Sequence, residues 1–71
     1  MRKYNFKFKY KNEDKELFLP IIATLEHKAI EEARYFIEWS KKQNKEIEQG
    51  KIIKHTERDE IVWIMEDEFY E

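Results

Sequence analysis

The sequence predicts an α+β fold. The expected form is a two-layer sandwich, with one helix on one face of an antiparallel sheet of about four strands, in chain order β-β-α-β-β. Three observations predict it. Tyr4, Phe6, Phe8 and Tyr10 fall on every second position of KYNFKFKYKNED, with lysines between them. Residues 24–44 contain no Gly or Pro and are rich in Ala, Glu, Lys and Leu. Two short apolar runs, KIIKHT and EIVWIMED, follow the single glycine, Gly50.

Period-2 alternation from Lys3 to Lys11 is the pattern of a half-buried strand. KNED at 11–14 is turn-forming. KELFLPIIA, residues 15–23, then closes a hairpin as a second strand. Pro20 has no N–H for a ladder, so this strand is expected at an edge or broken at the proline. Thr24 is the candidate N-cap of the helix. At 100° per residue, Leu25, Ala29, Ile30, Ala33, Phe36, Ile37 and Ser40 fall within roughly 140° and form the face expected to pack on the sheet. Ala29 and Ala33 let the helix approach closely. Residues 43–49 are polar except for Ile47, and Gly50 is expected to supply a turn or bulge before a third strand at 51–56. Residues 57–59 form a turn, and 60–67 the fourth strand.

Seventy-one residues predict a single domain, 1–71. There is no cysteine, hence no disulfide or thiolate metal site. Hydrophobic residues make up 41% of the chain and aromatics 15%, enough for a core of large side chains, which argues against disorder. No apolar run reaches the ~20 residues of a membrane span. MRKYNFKFKY is charged and lacks the apolar stretch of a signal peptide, so a cytoplasmic location is expected. The net charge of −2 hides a gradient: residues 1–15 carry +4, 16–56 zero, and 57–71 carry −6. Such polarity can steer a charged partner. The expected reading is internal: the two ends meet in one sheet and opposite charges pair across strands.

The inventory for catalysis is thin. Ser40 is the only serine and falls on the buried arc of the helix. His27 and His55 lack the spacing of a metal site, and no Gly-rich loop could cradle a phosphate. Carboxylate runs such as Glu31–Glu32 suit solvated faces better than acid–base chemistry. The chain is read as no enzyme, with no catalytic residue, cofactor or metal and no small-molecule substrate.

Two surfaces point instead to a protein partner. Tyr35 and Trp39 lie off the apolar arc by about 150° and 110° at helical spacing, and such rings are favoured interface anchors. In the fourth strand, alternation puts Ile61, Trp63 and Met65 on one face and Val62 and Ile64 on the other. A strand apolar on both faces needs a cover on both, and one helix covers only one. The tail Phe69–Tyr70, a second copy or another protein could supply it. The expected function is a small interaction module that uses Tyr35, Trp39, Trp63, Met65, Glu66, Asp67 and Glu68, acting as a homodimer or on another protein. A phage or mobile-element inhibitor that lays its acidic strand on a basic surface of its target is one form of this. The alternative is nucleic-acid binding through Lys3, Lys7, Lys9 and Lys11. Against it, the first strand's aromatics point away from its lysines, which leaves that strand no base-stacking platform. The pI near 5.7 also departs from a basic footprint.

Overall fold

The computed structural model describes residues 2–65. Strand β1 spans Arg2–Tyr10 and β2 Leu17–Ala23; helix α1 is Glu26–Lys42; β3 is Ile47–Lys54 and β4 Glu60–Ile64. All pairings are antiparallel, and the sheet order is β2-β1-β3-β4. The β-β-α-β-β succession and the single helix over one sheet match the expectation. Among the described residues no helix is long and apolar enough to cross a membrane.

The aromatic alternation of β1 builds the core. Tyr4, Phe6 and Phe8 are buried beside Ile21 and Ala23 of β2 and Ile47 and Ile52 of β3. Ala29 and Ala33 are fully buried, and their small side chains let α1 seat against this layer. Phe36 drops from the helix edge-on to Phe6, at 6.3 Å between ring centroids, and lies 5.2 Å from Phe8. Two buried hydroxyls, of Tyr4 and Ser40, find no hydrogen-bond partner among the described residues.

Several boundaries differ from those expected. The first connection runs to Glu16, with Asn12 in the left-handed region (φ 71°), a conformation asparagine tolerates. The helix starts at Glu26. Leu25 holds the N-cap position with extended backbone (φ −124°, ψ 148°) and no side-chain cap, so Thr24 does not cap. Leu25 is consequently exposed rather than part of the packed arc. At the other end, Asn44 adopts φ 64°. The Lys45 N–H donates to the Ser40 carbonyl at 2.9 Å and the Asn44 N–H to Lys41 at 3.0 Å. This is a Schellman closure with asparagine in glycine's usual place.

Strand β3 begins at Ile47, inside the stretch read as a polar connection. Ile47 is buried opposite Tyr10, and a register shift between Lys9 and Tyr10 leaves Glu48 as an extra residue. Gly50 therefore lies within the strand, opposite Phe8, not at a turn. Its role is steric: a Cβ there would meet the Phe6 ring at 2.7 and 2.9 Å.

A second bulge re-phases β4. Ile52 pairs with Trp63 and Ile53 with Ile61, which leaves Val62 as the extra residue. Trp63 thus shares the covered face with Ile52, whereas Ile61 goes to the opposite face with Ile53 and Asn5. The expected grouping of Ile61 with Trp63 and Met65 does not hold, because the extra residue inverts the alternation. The chain ends do share one sheet, but β3 separates β1 from β4. Among the described residues Lys28 and Glu31 form an ion pair at 3.7 Å and the His55 ring lies 3.5 Å from the Asp59 carboxylate, and neither contact joins the lysines of β1 to β4.

Candidate functional site

One face of the sheet has no helix over it among the described residues, although Ile53 on it is buried by its neighbours at 8% exposure. Pairing defines it row by row. Phe18 lies opposite Lys7, Lys7 opposite Lys51, and Lys51 opposite Ile64. In a second row Pro20 faces Asn5, Asn5 faces Ile53, and Ile53 faces Ile61. Ile22 pairs with Lys3 at one end, and Lys9 with Gln49 at the other. The face therefore carries lysines 3, 7, 9 and 51 down its two central strands, and no carboxylate within the paired register. Its two margins are apolar. Phe18 and Ile22 on β2 are 63% and 62% exposed; Ile61 and Ile64 on β4 are 53% and 59% exposed.

The cause of this arrangement lies in β2 and in the β4 bulge. LFLPIIA is apolar at every position, so burying Leu17, Leu19, Ile21 and Ala23 toward the helix pushes Phe18, Pro20 and Ile22 to the open face. The bulge does the same for Ile61. At the centre, Lys7 directly opposite Lys51 is a like-charge cross-strand pair, which weakens a sheet. A fold optimised only for stability would place an acid or threonine at one of the two positions. Near the row's end, the Asn5 side-chain amide and His55 Nε2 are 2.7 Å apart, and His55 Nδ1 faces Asp59. If Nε2 is the unprotonated nitrogen, it accepts from the Asn5 amide. No group of three or more His, Cys, Asp or Glu among the described residues could hold a metal.

The positions singled out from sequence fall in three places. Lys3, Lys7 and Lys9 share the open face; Lys11 lies at the hairpin turn, its N–H donating to the Glu46 carbonyl at 2.9 Å. Tyr35 and Trp39 are 77% and 52% exposed on α1, as the helical wheel implies. Trp39 stacks on Phe36 at 5.9 Å, so half of it is an edge of the core. Trp63 and Met65 pack against the core on the covered face. Arg34 lies over the Trp63 ring at 5.9 Å, in a half-open groove between α1 and β4 floored by Ile37, Ile47 and Met65. Glu66, Asp67 and Glu68 lie outside the described residues, as do Phe69 and Tyr70.

Lys51, Phe18 and Ile22 were not foreseen. For Phe18 and Ile22 a signal existed: β2 is apolar on both faces, the same pattern that marks β4. For Lys51 none did, because its neighbour Lys7 is set by a pairing between residues 44 positions apart. No protein-family model, curated protein or solved structure matches the chain.

Proposed function

We propose that this chain is a small protein-interaction module of the cytoplasm and that the uncovered sheet face is its binding surface. One observation carries the reading: four large apolar side chains, Phe18, Ile22, Ile61 and Ile64, each more than half exposed, flank a lysine row that has no carboxylate in its paired register among the described residues. Large apolar side chains exposed together on one face, here at its two margins with the lysines between them, support an interaction site. The reading moves the binding surface from the helix's outer side and the Trp63–Met65 side of β4 to the open face of the sheet. Tyr35 stands alone in solvent and Trp39 is half occupied by Phe36, whereas the open face offers a continuous area.

Nucleic-acid binding is the second reading. One observation favours it: Phe18, from β2, puts on the lysine face the ring that β1 alone turns away. A single ring between aliphatic margins is a poor stacking platform, so the protein reading leads.

Photo-crosslinking in the native host tests the proposal. A benzophenone amino acid is placed in turn at positions 18, 64 and 35. Protein adducts from 18 and 64, with none from 35, are expected. Adducts from 35 alone would return the surface to the helix, and adducts to nucleic acid from 18 would favour the second reading.

A further inference from the structure

Resting on that reading, we infer that the open face recognises an acidic segment of a protein partner, with carboxylates set between two apolar anchors. The layout dictates the pattern. From β2 to β4 the face is about 14 Å wide, three strand spacings of ~4.8 Å. Crossing it along one row, a ligand meets Phe18, Lys7, Lys51 and Ile64 in turn, while the next row offers Pro20, Asn5, Ile53 and Ile61. An extended segment of about four or five residues spans this width at ~3.3 Å per residue. Apolar side chains would settle on the margins, and acids over Lys7 and Lys51.

Charge tells against a second copy and for an acidic occupant. A second copy docked face to face about a two-fold axis would set one lysine row against the other, and among the described residues the paired register of this face holds no carboxylate to offset it. Acids in the segment would instead relieve the repulsion between Lys7 and Lys51 that the free protein carries. The pair is a local conflict between stability and sequence, and such conflicts concentrate at functional positions. The four exposed apolar side chains of the two margins then add contact on either side, which a purely electrostatic ligand would leave unused.

The test is a 15N-detected NMR titration of the full chain at about 0.15 M salt. Three probes are compared: a peptide with Leu-Leu, Asp-Glu-Asp-Glu and Leu-Leu blocks in that order, the same peptide with its acids replaced by lysine, and an oligothymidylate. The acidic peptide should shift residues 7, 18, 22, 51, 61 and 64, and the lysine peptide should not. Lys51→Glu should weaken binding about tenfold or more while the variant stays folded and at least as resistant to urea as the parent. A weakening that came with lost urea resistance would reduce Lys51 to a structural role and overturn its assignment. Equal response to the acidic and basic peptides, or none to either, overturns the inference. A stronger response to oligothymidylate over the same residues transfers the face to nucleic acid. The crosslinking result separates the two levels. Protein adducts from 18 and 64 together with a silent acidic peptide leave the interaction module standing and remove only the partner chemistry.

Discussion

The two faces of the sheet are built from the same strands by opposite rules. On the covered face, rings and aliphatic side chains interlock: Phe6 touches Phe8, Phe36 and Trp63, and nothing as small as one extra carbon fits between Phe6 and Gly50. On the open face, Lys7 meets Lys51 and four large apolar groups stand in water. Under the helix, the two buried hydroxyls without a partner among the described residues are those of Tyr4 and Ser40. The open face violates several folding requirements at once. The difference teaches that stability was concentrated under the helix, leaving the other surface free to carry features that cost stability.

Substitutions should separate the faces by size of effect. Phe6→Ala removes the fully buried ring at the centre of the aromatic cluster and should cost about 3–5 kcal/mol. That is enough to unfold so small a domain, and far-UV circular dichroism in a urea titration would show it. A loss below ~1 kcal/mol would mean the core is not where the geometry puts it. Gly50→Ala should cost about 1–3 kcal/mol by forcing the Phe6 ring from its seat, seen as a lower urea midpoint with an unchanged slope. If it proves neutral, β3 can move away from the ring and the covered face is looser than its contacts imply.

Smaller effects should run the other way. Tyr4→Phe deletes a buried hydroxyl that has no partner among the described residues and should raise stability by about 1 kcal/mol or leave it level. A clear loss would show that the hydroxyl has a partner after all. Lys51→Glu turns a repelling cross-strand pair into an attracting one and should gain ~0.2–1 kcal/mol, a gain that shrinks at high salt. Its failure would end the comparison, since the open face would then carry no stability conflict. Tyr35→Ala, on the solvent side of α1, should change stability by about half a kcal/mol or less.

Much of this was readable in the residues taken alone. Every second residue of β1 being aromatic dictates a strand with one buried face, whatever it pairs with. The glycine- and proline-free stretch with apolar groups at helical spacing dictates an amphipathic helix, and its alanines mark the side that approaches the sheet. Pro20 dictates an edge strand, and β2 is one. These are local properties, carried by period and by backbone chemistry over a few neighbouring positions. What only the tertiary structure decided depends on partners far apart in the chain. Sequence offers Gly50 as a turn or bulge residue, but its place inside β3 is set by a phenylalanine 44 positions away. Ile61 looked like a companion of Trp63 until the bulge at Val62 sent it to the other side, since one extra residue inverts a period-2 pattern. The lysine row became a surface only when β3 paired beside β1 and brought Lys51 against Lys7. Period fixes which way a side chain points within its own strand; register across strands fixes what it points beside, and that is a non-local choice made by the packing of the whole core.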